Sequence, residues 1–425
     1  MNFMRHNTAG EIDKAKFDIF PELATTLLYF ITRLHEALVE QGEEQVYFLS
    51  REGQPLKRMF ELYQNRVGGN ITAHYLEVSR RSTLLPSLEP LAEESFENLF
   101  RQYRCISLFE FLSSLGLEAH ICRVVQGLGL PDGAEATRQE DFPTSSIFIA
   151  LKALPLFQDL YESERIARRA AFIKYLAELS GGTLPARLMI VDVGWKGTIQ
   201  DNLFSLLCRK GDTSVRQVTG YYIGLVAAGA ANLRSNKYGL LFSSVGAISP
   251  KFHVFNENRA LFEVVLAADH GSIVTYETAS DGRANAIRGE FEENEMLLQE
   301  VFPVQRQLFE HFNRLVEIIP LSGESHKISF GEVVRGHARM VFNPTLRERT
   351  WFSSVFHVEN YGVFERSHFA TPRGHPGLMQ RLYFLKQVLQ RRDIGALGFW
   401  PWSRLYERGG ALPAAIYAAI RRLQR

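Results

Sequence analysis

At 425 residues the chain is too long for one small module and short for three independent domains, which leaves one large domain or a two-part chain. Hydrophobic residues make up 46% and charged residues 22%, enough to bury a sizeable core and stay soluble, and the spread of apolar residues excludes disorder for most of the chain. Forty-eight Lys plus Arg against 47 Asp plus Glu give a net charge of +1, which argues against a dedicated nucleic-acid binder, so no nucleic-acid partner is expected.

Cys105, Cys122 and Cys208 stand far apart with no CxxC pair, so neither a disulfide scaffold nor a zinc ribbon is on offer; a reducing, cytoplasmic setting fits. The opening MNFMRHNTAGEIDKAKFD lacks a basic segment followed by an apolar stretch, and no signal peptide is expected. No uninterrupted apolar run reaches the roughly 18–20 residues that span a bilayer. The expected protein is soluble, or at most peripheral on the inner membrane.

In chain order, Leu23–Leu38 carries apolar residues at helical spacing and ends near Gly42. Gln45–Ser50 is a short β-rich run that breaks into Arg51-Glu52-Gly53-Gln54-Pro55. Pro55, followed by Leu56, Met59, Phe60 and Tyr63, predicts a helix. A second strand is predicted over Ala73–Val78, ending in Ser79-Arg80-Arg81-Ser82. Residues 90–180 read as mainly helical. The strand pattern returns at Leu188–Val191, with a loop over Asp192–Gly197 and a helix opening at Thr198. Further strands are predicted at Val218–Leu225, Tyr238–Phe242 and Ser272–Tyr276, with a helix over about Asn258–Ala267. Beyond about 285 the chain is helix-rich. The pattern predicts an α/β fold: an open, mainly parallel Rossmann-like sheet flanked by helices. The expected division is a core over 1–284 with a helical insertion at about 90–180, and a helix-rich region over 285–425 packed on it.

The best local signal is LMIVDVGWKGTIQDNL, 188–203. Asp192 should lie at the carboxyl end of a buried strand, where open α/β sheets bind ligands. Gly194 and Gly197 let the backbone bend and approach a ligand, Thr198 suits a helix N-cap, and Lys196 adds a cation beside Trp195. This describes an anion cradle with a carboxylate beside it. A tight strand-to-helix turn, with Asp192 capping backbone donors, would use the same residues. Ser50-Arg51-Glu52-Gly53 should open on the same sheet edge, with Arg51 suited to a phosphate and Glu52 to a hydroxyl proton; an Arg–Glu surface pair is the plainer reading. Adjacent Arg80 and Arg81, flanked by Ser82, suit a diphosphate or plain water. Glu263, on an otherwise apolar helix, is a carboxylate that needs a partner if buried, and His270 and Ser272 are candidates for an acceptor sugar or for core and turn roles.

Several motifs are missing: GxxxxGK[ST], HExxH, GxSxG and any Asp-x-Asp pair, the last disfavouring a metal-dependent sugar-nucleotide transferase. GLGLPDG at 127–133 has Asp132 where a dinucleotide fingerprint needs its third Gly.

Taken in order, YFLSREG (47–53), VSRRS (78–82), IVDVGWKGTIQ (190–200) and LFEVVLAADHGS (261–272) resemble the phosphoribosyltransferase part of bacterial ribofuranosyltransferases, encoded with O-antigen and capsule assembly genes. The resemblance spans about residues 20–280. It implies a transferase that takes phosphoribosyl diphosphate as donor and a growing, lipid-linked glycan as acceptor. Its product would be a ribofuranosyl 5-phosphate, dephosphorylated by a phosphatase of the haloacid dehalogenase type. In many members that phosphatase precedes the transferase. Here Phe17-Asp18-Ile19-Phe20-Pro21-Glu22 lacks the second acid such an enzyme needs, so Asp18 reads as structural and a separate phosphatase is expected. Ordinary phosphoribosyltransferases carry two adjacent acids where this chain has Asp192 alone.

On this reading the 5-phosphate falls to Gly194, Trp195, Lys196, Gly197 and Thr198, the diphosphate to Arg51, Arg80 and Arg81, and Ser50, Gly53 and Ser82 join them in binding the donor's phosphates or ribose. Magnesium would be held mainly by the donor, with Asp192 as the protein ligand to consider. Asp192 is the first choice of general base, then Glu52 and Glu263. In-line attack on an α-linked donor would give a β-ribofuranoside. The alternatives are a sugar-nucleotide-dependent glycosyltransferase, which in twin-domain form wants a second α/β half, and a non-catalytic scaffold of a polysaccharide assembly complex. The tail, Leu412–Arg425, is a short amphipathic stretch that suits either an anionic membrane surface or docking on the body.

Overall fold

The computed structural model describes residues 16–101, 103–209, 211, 213–229, 233–320, 328–360, 364–368, 377–391 and 397–424. The first fifteen residues and Arg425, which entered the reading of the two termini, lie outside them.

The fold is α/β, built on five parallel strands in the order β2-β1-β3-β4-β5: β1 Gln45–Leu49, β2 Thr72–Leu76, β3 Arg187–Trp195, β4 Gln217–Leu225 and β5 Ser235–Ser243. Helices cover both faces, so successive strand residues enter two different cores. Val46, Phe48, Met189, Val191 and Val193 pack into one, and Tyr47, Leu49, Leu188 and Ile190 into the other. Each fully buried Val, Leu, Ile or Phe contributes about 1.5–3 kcal/mol.

Helix α1, Glu22–Glu40, buries Leu23, Leu27, Ile31, Leu34 and Leu38 at a spacing of three and four, and the chain leaves it through Gly42 at φ 66°. Helix α2, Gly53–Val67, joins β1 to β2 and begins two residues before Pro55. Helix α3, Arg80–Ser87, leads into the insertion. Within the insertion, α4 (Leu108–Ser114), α5 (Ile121–Gly127), α6 (Ser146–Ala153) and the start of α7 (Pro155–Leu179) enclose a core of their own. Phe96, Phe100, Phe111, Phe142 and Phe148 pack there ring against ring, with centroids 5.2–6.1 Å apart.

Helix α8, Thr198–Cys208, follows β3 and α9, Ala260–Val265, follows β5. The strand expected at Ser272–Tyr276 is not in the main sheet. It is β6, Ile273–Thr278, paired antiparallel with β7, Ala284–Arg288, in a hairpin. Its contacts are with α7 and α3: the Tyr276 ring packs on Phe172, and the Ile273 carbonyl accepts from the Ser79 hydroxyl.

The C-terminal region contains α10 (Phe302–Glu317), α11 (Phe330–Phe342), α12 (Leu346–Ser354), a hairpin of β8 (Phe356–Asn360) and β9 (Phe364–His368), α13 (Leu378–Arg391), α14 (Pro401–Gly409) and α15 (Ala411–Leu423). Phe312, Val341, Phe352, Leu405 and Ala414 share one core with α1 and the sheet. A polar clamp fixes the junction. Arg339 on α11 donates to Glu22 on α1 and to Glu348 on α12, at 2.6 Å from Nε and 2.7 Å from Nη1, while the Phe20 N–H donates to Glu348 Oε1 at 3.0 Å. Glu348 is only 2% exposed and depends on these partners for its charge. Replacing Arg339 by Met should therefore lower stability by about 3 kcal/mol, read as a shift in the urea midpoint at unchanged slope; a midpoint within error of the wild type would show that Glu348 needs no cation.

Candidate functional site

Strand β1 pairs with β3 only through Tyr47–Ile190 and Phe48–Val191, then stops, while β3 runs on beside β4 to Trp195. Beyond that point a cleft of about 370 Å³ opens. It lies between the two adjacent strands whose connections leave in opposite directions, the position where open α/β sheets take ligands. Ser50 lines it. Its hydroxyl donates to the Val78 carbonyl at 2.6 Å and accepts from the Val78 N–H at 3.0 Å, continuing the ladder where the strands have ended.

Asp192 lies inside β3 rather than in a loop after it, still near the carboxyl end. Its Oδ1 accepts from the Val193 N–H at 2.8 Å. Burial pushes the carboxyl up to about 8, helped by the charges of Glu52 and Glu263 and opposed by the Val193 N–H and the charge of Arg80. Gly194 has φ 129°, and a Cβ there would fall 2.0 Å from the Gly224 carbonyl oxygen, so only glycine lets β3 and β4 approach at the cleft. The peptide bonds Ser50–Arg51 and Gly194–Trp195 are both cis.

Helix α8 is entered through Gly197, at φ 68°, not capped by Thr198; Thr198 is its first residue and no side chain caps the helix. The loop before it is held from below. Lys237 Nζ donates to the Lys196 carbonyl and the Ala228 carbonyl, each at 3.1 Å, and pairs with Asp201 at 2.7 Å. Gln200 donates to the Asn236 carbonyl at 2.8 Å and accepts from the Tyr222 hydroxyl at 2.7 Å. Three helix starts meet at the cleft, marked by Glu52 for α2, Ser79 and Arg80 for α3, and Gly197 and Thr198 for α8. Their N–H groups and dipoles favour an anion.

The cleft brings together most of the residues singled out in the sequence. Ser50, Arg51, Glu52, Arg80, Asp192, Gly194, Trp195, Lys196, Gly197, Thr198, Glu263 and Ser272 all line it. Four do not. Arg81 turns to Glu118 of the insertion, because the next residue of a helix points about 100° away. Ser82 closes a reciprocal capping box with Ser79 and is buried against Tyr276. Gly53 packs on the Phe48 backbone, where a Cβ would meet the carbonyl carbon at 2.7 Å. His270 is buried, in contact with the Tyr75 hydroxyl at 2.7 Å and the Gly271 carbonyl at 2.8 Å, and burial lowers its pKa. Asp18 sits 2.7 Å from His311 Nε2.

The sequence reading missed Arg259, Glu290, Glu292 and Glu293. Arg259 precedes α9 and lies over the Trp195 ring, 5.3 Å from its centroid, while Trp195 Nε1 donates to Glu263 at 2.7 Å. The spacing was a usable signal: a carboxylate on an apolar helix wants a cation three or four residues away, and Arg259 is four before Glu263. Glu293 is buried and pairs with Arg51, whose guanidinium therefore arrives at the cleft already paired. The four cations of the lining, Arg51, Arg80, Lys196 and Arg259, face six acidic side chains, Glu52, Asp192, Glu263, Glu290, Glu292 and Glu293.

Among the described residues no group of three or more His, Cys, Asp or Glu is placed to hold a metal ion by itself. Comparison with protein-family models and with curated proteins gives no match.

The raised Asp192 carboxyl makes stability depend on pH. An unfolded Asp titrates near 3.9 and the folded one at about 8, so between these values only the folded chain keeps the proton. The contribution is fully present below the lower value and is lost as pH rises through the upper one. Asp192→Asn does not titrate. Its stability relative to the wild type should climb from pH 5 to pH 8 and then level, measured by denaturant unfolding at each pH; a constant difference would place Asp192 in a wetter site.

Proposed function

We propose that the cleft binds phosphoribosyl diphosphate as its magnesium complex and transfers the 5-phosphoribosyl group to a hydroxyl of a lipid-linked glycan. What carries the reading is one carboxyl, Asp192, held near neutrality by burial and sharing a cleft with Arg80, Arg259 and the open end of α8.

The end of β3 at Gly194 and Trp195, the turn over Lys196 and Gly197, and the first N–H groups of α8 from Thr198 would hold the 5-phosphate. Arg80, with Arg259 and the Glu293-paired Arg51, would hold the diphosphate. The bond from ribose C1 to the diphosphate oxygen breaks with its electrons leaving on the diphosphate. The acceptor oxygen forms the new bond from the opposite face, giving a β-ribofuranoside, and its proton passes to Asp192. A base works best with a pKa close to the working pH, which suits a carboxyl raised to about 8. Glu52 and Glu263, whose charges raise Asp192, also keep the proton acceptor basic.

The excess of carboxylates in the lining bears on the donor. Even with Asp192 protonated, a bare polyanion would meet five further acids beside four cations, so it would bind poorly. A donor carrying its own magnesium suits the lining, with Glu52 within the cleft as the protein ligand and Asp192 left free to take the proton; the cation would neutralise charge on the leaving diphosphate. A haloacid dehalogenase-type phosphatase, on another chain, would then remove the 5-phosphate. The whole sequence would run in the cytoplasm, where phosphoribosyl diphosphate is available.

The test is calorimetry and mass spectrometry on the full chain. Phosphoribosyl diphosphate should bind only with magnesium present, nucleotide sugars should not bind, and a glycan acceptor should gain the mass of one ribose phosphate. Arg80→Ala should weaken donor binding about tenfold to a hundredfold. Asp192→Asn should keep donor binding and lose about 10²–10⁴ in turnover. In the wild type kcat/KM should rise with pH towards a plateau above about 8. Turnover retained in Asp192→Asn would remove the base from this residue, and absence of any donor binding would sink the proposal.

A further inference from the structure

The C-terminal helices leave two apolar stripes uncovered. On α13, Leu378, Met379, Leu382, Tyr383 and Leu389 are exposed, and with Lys386 they fall on one side of the helix. The opposite side, with Phe384, Leu385 and Val388, packs on the body. On α15, Leu412, Ile416, Ile420 and Leu423 form a second exposed stripe at spacings of four, four and three. There too the opposite side is engaged: Ala414 and Ala418 are buried, and the Tyr417 hydroxyl donates to Glu257 at 2.8 Å. The two helices meet at one corner, since Leu385 of α13 reaches Gly409, at the turn into α15. Isolated exposed leucines are ordinary, but two exposed stripes on helices that meet at one corner are not.

Charge indicates what covers them. Residues 377–425 contain nine Lys or Arg and two Asp or Glu, a net charge of +7 in a chain whose total is +1. The rest of the protein is therefore net acidic. Lys386 is exposed on the α13 stripe itself, while Arg408 and Arg422 lay their guanidinium groups over the Phe384 and Phe342 rings on the body side, 6.0 Å and 5.5 Å from the centroids. A basic, apolar surface repels a second copy of itself and attracts an anionic apolar one. Among the described residues no helix is long and apolar enough to cross a membrane, so the contact is one of lying on the surface.

We infer that α13 and α15 together form a docking face for an anionic lipid bilayer, with the leucine and isoleucine side chains at the acyl boundary and Lys386 at the headgroups. This surface is separate from the cleft and its recognition does not depend on the donor.

The full chain should float with vesicles of phosphatidylcholine and phosphatidylglycerol, and its partition should fall about tenfold on phosphatidylcholine alone and again on raising salt. Leu382→Glu with Ile416→Glu should lower partition by about tenfold or more while leaving the far-ultraviolet circular dichroism and melting temperature unchanged, because both side chains already face solvent. Lys386→Glu should weaken binding to the anionic vesicles only. Equal partition of the double variant and the wild type overturns the inference, as does failure of the wild type to float. A concentration-dependent dimer, lost in the double variant and present without vesicle binding, would assign the face to a second copy instead. Donor calorimetry on the same samples keeps the two proposals apart, because vesicle binding without donor binding counts against the transferase reading alone.

Discussion

A carboxyl group inside a sheet that is covered on both faces has little water in which to hold its charge, and the geometry of the cleft follows from where that group is placed. Val191 and Val193 point into one core, so strand alternation sends Asp192 to the side of Leu188 and Ile190. There it meets the buried neighbourhood of Tyr222 as well as the open edge left by the end of β1. Two residues earlier, at Ile190, a charged side chain would be sealed in the core; after Trp195 it would be in a solvated turn. Only at the level where one neighbouring strand has ended and the other continues can a carboxyl be desolvated and yet touch a ligand. The glycines next to it serve the same placement, because Gly194 allows β3 and β4 to stay paired beside the cleft.

Much of the sheet was legible in the sequence because it is buried on both sides. Such strands read as short apolar runs, and Val46–Leu49 and Leu188–Val191 announce themselves in that way. The same property hid where β3 ends. A strand that bears Asp192, Gly194 and Trp195 loses its apolar signature before it loses its pairing with β4, so sequence alone stops it at Val191. The hairpin β6–β7 was half seen for a related reason. Ile273–Thr278 has strand composition, but nothing in a local pattern says whether its partner is the main sheet or the next few residues. Arg80 and Arg81 look equivalent in the sequence and part company only because they begin a helix, which sends one to the cleft and the other to Glu118. The cluster Glu290, Glu292 and Glu293 follows β7 and reaches the cleft through tertiary folding, with no local sign that it would.

The acid-rich lining and the three helix starts are opposite electrostatic statements at one place, and a ligand that carries both signs would satisfy both. Helix ends and arginines alone would favour a simple anion. Carboxylates alone would favour a cation or a set of hydroxyls. On the proposed reading, a magnesium-bearing phosphosugar would present phosphate, metal and hydroxyl together and so match both halves of that inventory.

The C-terminal helices are tied to the same site through a very short stretch of chain. Glu257 accepts from the Trp402 N–H at 2.8 Å and from the Tyr417 hydroxyl at 2.8 Å, with Arg421 3.6 Å away, and burial still raises its carboxyl to about 7. Two residues later Arg259, just before α9, covers Trp195 at the cleft, and Glu263, one turn further on, holds the indole N–H. A segment of seven residues thus carries the grip on α14 and α15 at one end and two cleft side chains at the other. Arg259 and Glu263 can be held rigidly only if the start of α9 is, and that start is fixed by a buried carboxylate whose partners all belong to the C-terminal helices. Those helices are therefore part of the framework of the cleft, even though their outer stripes face away from the body and remain open to a different surface.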